Sequence, residues 1–189
     1  MTSKQSAGIL LYRRLNHGVN PNQSPGQSPG LNPGPSSGLS PGQNLGQNPG
    51  QSPGLEVFLV HPGGPFWKNK DAGVWTIPKG EFTNAEPALD AAVREFREET
   101  GVTLNGPFQP LSPIRQKGGK RVYAWASPGD LDPTTLVSNT FELEWPRGSG
   151  RSHTFPEVDR GGWFTLTAAR EYINPAQIPL LEELEETIA

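Results

Sequence analysis

Between Gly18 and Gly54 lie 37 residues without one Asp, Glu, Lys or Arg, and from Gly26 onward glycine returns at every fourth position. Nine glycines, eight prolines and only Val19, Leu31, Leu39 and Leu45 as apolar side chains leave almost nothing to bury. Ordering a residue costs on the order of 1–2 kcal/mol of backbone entropy, which so little apolar surface does not offset. The period of four is also wrong for a collagen triple helix, whose crowded axis requires glycine at every third position. The segment 18–54 therefore reads as a disordered, turn-prone insertion. About 150 of the 189 residues remain for a core, which is one ordinary domain spanning 1–189 and interrupted by the insertion.

What flanks the insertion says where it sits. Residues 7–13 and 55–61 are both rich in apolar and β-branched side chains and read as strands. Together they make a hairpin with an expanded tip. Loop-closure entropy grows only logarithmically, so lengthening a tip from ~5 to ~40 residues costs about 2 kcal/mol. Passive tether and partner-binding segment, with the partner unknown, both remain open for 18–54.

The rest of the composition removes several classes. There is no cysteine, which excludes a disulfide-stapled scaffold, thiolate zinc sites and thiol nucleophiles. Nineteen acidic against 16 basic side chains give a net charge of −3, which argues against general nucleic-acid binding. The apolar run in the first 14 residues is too short for a signal-peptide core, and nothing approaches the ~18 consecutive apolar residues of a membrane span. The expectation is a cytoplasmic protein with no membrane partner, either a monomer or a homodimer.

Beyond the hairpin, 63–73 reads as a loop and 74–77 as a short strand. Residues 88–100 hold good helix formers with Leu89, Ala92, Val93 and Phe96 on one face, and Gly101 stands where a helix-ending glycine belongs. Segments 113–116 and 121–126 read as strands joined by the turn 117–120. Further strands are expected at 141–145 and 162–164. Thr165 can cap a short helix to Tyr172, and Pro179 can open a last one with Leu180, Leu181, Leu184 and Ile188 inward. Strands mixed with one central and two terminal helices make an α/β protein.

The central helix is unusual in its acids. Glu95, Glu98 and Glu99 are spaced i, i+3 and i+4, so their carboxylates share one face and repel one another unless a cation lies between them. Magnesium favours such oxygen ligands together with phosphates and water. Arg94 can hold a carboxylate by a forked hydrogen bond. A bare cluster of this kind is also the pattern of a solvated helix face. The wider pattern narrows the choice: Gly80, Glu86, Arg94, Glu95, Phe96, Glu98, Glu99, Gly101 and Val102 fill every fixed position of G-x5-E-x7-R-E-U-x-E-E-x-G-U, where U is bulky and apolar.

That pattern is the Nudix box, and from Ser6 to the C-terminus, insertion excepted, the chain resembles a Nudix hydrolase. The resemblance implies an α/β/α sandwich with a mixed sheet. It implies cleavage of a phosphoanhydride in a nucleoside diphosphate linked to another group, with Mg2+ or Mn2+ as cofactor. Glu95, Glu98 and Glu99 would then be metal ligands, joined by the Gly80 carbonyl, with Glu86 in support. Many members add a glutamate six residues before a tryptophan that begins the last strand. Glu157 stands six before Trp163 and becomes a metal ligand or general base, with Glu95 the other candidate base and Glu142 and Glu144 weaker candidates.

The run 75–80 is similar to the strand entering the box in diadenosine tetraphosphate hydrolases, and 61–79 looks like a bacterial subgroup of predicted NTP pyrophosphohydrolases. The substrate expected is a small nucleotide, a nucleoside triphosphate or a diadenosine polyphosphate. Lys79 is a candidate phosphate contact. Lys68 and Lys70 could engage phosphates or simply be solvated, and Phe66 or Trp67 could stack on a base or anchor the loop. Arg115, Lys117, Lys120 and Arg121 form a basic tip, Tyr123 and Trp125 read as packing, and His17, His61 and His153 have no metal-ligand spacing. A different class, a catalytically idle domain that senses nucleotide and signals through 18–54, fits less well, because a sensor has no need of mutually repelling carboxylates.

Overall fold

The structure is a computed structural model that describes residues 4–15 and 54–188, so the insertion expected over 18–54 lies, but for Gly54, outside the described residues. The described chain forms β1 (Gln5–Arg14), β2 (Leu55–Pro62), β3 (Lys79–Phe82), α1 (Ala88–Thr100), β4 (Gln109–Arg115) and β5 (Arg121–Pro128). It continues with β6 (Thr140–Glu144), β7 (Ser152–Pro156), β8 (Val158–Thr165), α2 (Leu166–Tyr172) and α3 (Ile178–Ile188). The main sheet runs β4-β5-β1-β2-β8, with β3 also paired to β1; β6 and β7 form a separate two-stranded sheet. β1 is parallel to β5 and antiparallel to β2 and β3, which makes the sheet mixed.

One edge of β1 serves two strands. Its residues Tyr12, Arg13 and Arg14 pair with β2, while Gln5 to Gly8 pair with β3. The hairpin expected around the insertion is present: Leu15 N–H donates to the Gly54 carbonyl at 2.6 Å, directly beyond the last β1–β2 pair.

Both faces of the sheet are covered. Ala7, Ile9, Leu11, Phe58 and Val60 pack on one side with Ala91, Ala92 and Phe96 of α1. Leu10, Val57 and Leu59 pack on the other with Leu166 and Ala169 of α2 and Leu180, Leu181 and Leu184 of α3. Strands buried on both faces read as continuous apolar runs, which is why β1 and β2 stand out in the sequence. The layers are helix, mixed sheet and helices, as expected.

Several elements differ from the sequence reading. No strand forms at 74–77, because its backbone bonds go to three different partners: Trp75 N–H to the Tyr172 carbonyl, Thr76 to Val60 in an isolated bridge, and Ile77 N–H to Gln177 Oε1. The strand begins instead at Lys79. β4 starts earlier than expected, at Gln109, with an irregularity between Leu111 and Ile114 where Pro113 has no N–H to give. β7 was not expected at all, and β8 is eight residues long rather than three. In α1 the buried stripe is Ala91, Ala92, Glu95, Phe96 and Thr100, with Leu89 and Val93 only half-buried. The stripe turns toward Glu95 and carries a carboxylate inward.

Tyr123 packs edge-on against Phe82 and Trp125 against the α1-side core, while Lys120 of the basic tip pairs with Glu81 of β3 at 2.8 Å. No helix among the described residues is long and apolar enough to cross a membrane.

A carboxylate-lined candidate active site

Helix α1 lies against β1 and β3, and this sets its acidic face beside the strand that carries Lys79 and Gly80. Arg94 organises the face. Its Nε and one terminal nitrogen donate to the two oxygens of Glu86, each at 3.0 Å, which is the forked geometry that fits a guanidinium to a carboxylate. The other terminal nitrogen donates to Glu95 at 2.7 Å and to Glu98 at 3.0 Å. One cation thus holds three glutamates, and these partners raise its pKa further above the usual arginine value.

Glu95 is buried, with 9% of its surface exposed, and its carboxylate lies on the bare Cα of Gly80: a Cβ there would stand 1.7 Å from Glu95 Oε2. Burial raises its pKa, Arg94 opposes that rise, and the charges of Glu98 and Glu157 add to it. Glu99 accepts a hydrogen bond from the Lys79 backbone N–H at 2.9 Å. Burial pushes the Glu99 carboxyl up to about 8, against the pull of Lys79 and with Glu95 and Glu157 adding to the rise. The Lys79 ammonium, partly buried, is lowered by desolvation while Glu99 and Glu95 favour its charge.

Glu157 reaches this neighbourhood through a backbone relay. Asn139 N–H donates to the Glu98 carbonyl at 2.9 Å, Glu157 N–H to the Asn139 carbonyl at 2.8 Å, and Gly63 N–H to the Glu157 carbonyl at 2.8 Å. The carbonyls at the C-terminal end of α1 would otherwise lack partners. The 137–139 loop satisfies two of them, with Val137 N–H donating to the Thr100 carbonyl and Asn139 N–H to that of Glu98, and at once fixes the residue before β8. Asn139 and Gly63 were not singled out in the sequence, where only the spacing of Glu157 from Trp163 was visible. A Cβ on Gly63 would lie 2.0 Å from the Pro156 carbonyl oxygen, so this close approach needs glycine.

The structure brings Gly80, Glu86, Arg94, Glu95, Glu98, Glu99 and Lys79 together, with Glu157 as an electrostatic neighbour of Glu95 and Glu99. Trp67, Lys68 and Lys70 stand apart on the 63–71 loop. Lys70 Nζ lies 5.0 Å over the Trp67 ring, and among the described residues none of the three is hydrogen-bonded or ion-paired to the glutamates. Glu144 accepts from the Gly150 N–H and closes the β6–β7 turn. Buried His61, with no partner evident in sequence, has Nδ1 2.7 Å from Asp159 Oδ1 and Nε2 2.8 Å from the Lys70 carbonyl oxygen, pinning the loop to β8.

The donors are all oxygens, which suits a hard divalent cation. Two of the carboxyls, Glu95 and Glu99, are raised by burial and by the charges of neighbouring glutamates, as expected where a cation would be stabilising. Among the described residues no three His, Asp or Glu side chains close into a metal cage, so a cation held here would draw further ligands from backbone, water or substrate.

A family profile described as NUDIX domain matches residues 48–184. Among solved structures with the same fold are a binary complex of a C. elegans Ap4A hydrolase, 16% identical over 97% of each chain with a TM-score of 0.56, and a mutT/nudix family protein from Listeria innocua, 18% identical over 100% of this chain and 96% of that one with a TM-score of 0.54. The NUDIX domain of Shewanella oneidensis NrtR complexed with ADP ribose is 13% identical over 100% of this chain and 90% of its own, with a TM-score of 0.57.

Proposed function

The chain belongs to the Nudix family, and from that premise we propose that it is a metal-dependent pyrophosphohydrolase whose single domain spans 1–189 around the 18–54 insertion. The reaction is hydrolysis of a phosphoanhydride bond in a nucleoside diphosphate linked to another group. The substrate is a nucleoside triphosphate or a diadenosine polyphosphate. The observation that carries this reading is the convergence of Glu95, Glu98 and Glu99 on one face of α1 beside Gly80, with burial opposing the charge of Glu95 and Glu99.

Glu95, Glu98, Glu99, Glu157 and the Gly80 carbonyl would hold Mg2+ or Mn2+. Bound there, the ion offsets the phosphate charge that protects an anhydride from nucleophiles and lowers the pKa of the attacking water. Glu95 or Glu157 takes that water's proton. Arg94 keeps Glu95 and Glu98 from swinging apart, while Glu86 fixes Arg94. Lys79 meets a phosphate, and Trp67, Lys68 and Lys70 grip the rest of the nucleotide.

Chromatographic product analysis tests the reading. The protein is incubated with Mg2+ or Mn2+ and with diadenosine polyphosphates, ordinary and oxidised (d)NTPs, ADP-ribose and nucleotide sugars. Rapid cleavage of one class, lost in Glu99→Gln, is expected. No turnover of any, with tight nucleotide binding, would replace the hydrolase by a nucleotide sensor.

A further inference from the structure

The β6–β7 hairpin carries rings that neither core uses. Side chains alternate between the faces of a strand. Phe141, Leu143 and Trp145 therefore share a face with Phe155 and Arg151, while Glu142 and Glu144 point the other way. The four apolar side chains are half-buried and belong to neither core cluster. Their face turns to the 63–70 loop: the Phe141 ring stands 3.1 Å from where a Cβ of Gly64 would be, and Phe66 meets Trp145 edge-on at 5.2 Å. Phe66 nevertheless remains 55% exposed and Trp67 37%.

Cations border these rings. Lys70 Nζ lies over Trp67, and exposed Lys68 and Arg151 belong to the same loop and hairpin face. A flat apolar group bearing negative charge is the complement of this surface, which is the chemistry of a nucleotide. The backbone ties this surface to Glu157: β7 runs directly into that residue, and Gly63 N–H at the start of the loop is bonded to its carbonyl. At about 3.3 Å per residue, Trp145 opposite Arg151 lies roughly 20 Å along the strand from Glu157. That is farther than one nucleoside extends from its own phosphates, and within reach of a second at the end of a polyphosphate bridge.

We propose that Phe66, Trp67 and Trp145 form a stacking platform for the second base of a dinucleoside polyphosphate, with Lys68, Lys70 and Arg151 meeting the bridging phosphates. The proposal rests on the hydrolase reading of the carboxylate site and selects dinucleoside over mononucleoside substrates. It is tested by KM for diadenosine tetraphosphate and for ATP in the wild type and in Phe66→Leu, Trp145→Leu and Trp145→Phe. The ratio of the two KM values is expected to shift about tenfold against the dinucleotide in each leucine variant, the loss of one base–ring stack, and to return toward wild type in Trp145→Phe. An unmoved ratio in both leucine variants overturns the platform.

If the wild type cleaves neither compound, it is the hydrolase reading for these two substrates that fails, and tryptophan-fluorescence titration then decides the platform. Tighter binding of diadenosine tetraphosphate than of ATP, abolished in Trp145→Leu, supports it. Equal affinity overturns it.

Discussion

At Gly80 a Cβ would collide with the carboxylate of Glu95, which Arg94 holds from the other side. Gly80→Ala therefore moves Glu95 rather than the strand. Displacement of a catalytic group by about 1 Å costs on the order of a hundredfold in rate, so kcat should fall by about that factor while circular dichroism stays unchanged. Glu99 makes a second residue-level prediction. Its folded pKa of about 8 exceeds the 4.5 of an unperturbed glutamate, so the folded, metal-free protein keeps a proton that the unfolded chain has lost. The stabilisation is complete below about pH 4.5, declines as pH rises and is gone above about pH 8. Metal-free Tm should fall by on the order of 5 °C across that window, with a shallower slope in Glu99→Gln and with recovery on adding Mg2+ at pH 8. The box spacing made the glutamates legible in sequence. The division of Arg94 between Glu86, Glu95 and Glu98 was not, because it depends on the path of 80–87 before the helix.

Among the elements, the extent of α1 was legible because an apolar period near 3.6 and a terminal glycine coincide, although its buried stripe runs through Ala91 and Glu95 rather than Leu89 and Val93. Gly101 has φ +77, and a Cβ there would meet Val137 at 3.2 Å. Gly101→Ala should cost about 1–2 kcal/mol, read as a Tm lowered by about 2–8 °C. Because the 137–139 loop also carries the relay to Glu157, kcat should fall with it. β1 and β2 were legible through continuous apolar runs. The misread stretch 74–77 has strand-like side chains, but its N–H groups and carbonyls are taken by Val60, Tyr172, Asn174 and Gln177, three of which lie about 100 residues away. β7 was hidden because Ser152, His153 and Thr154 are exposed and polar, and the strand exists only through its pairing with β6.

At the scale of the molecule, β1 and β2, which flank the insertion in sequence, lie at the centre of the three-layer core, while the β6–β7 hairpin forms a separate sheet and ends beside Glu157. Both layers of helices pack on the same strands, so the glutamates of α1 are set against a sheet buried on both faces. That rigidity lets a few backbone bonds from the 137–139 loop hold Glu157 in place. Glu98→Gln, Glu98 being half-exposed and bonded to Arg94, should leave Tm within a few degrees of wild type while removing a charge from the site.

The most direct test of the central claim is cleavage rate against Mg2+ concentration in the wild type, Glu98→Gln and Glu99→Gln, starting from protein stripped with EDTA. The account predicts no turnover without the ion and saturable activation of the wild type. In both variants it predicts a midpoint at least tenfold higher and a maximum rate lower by orders of magnitude. Turnover in EDTA, or variants that follow the wild-type curve, would contradict it.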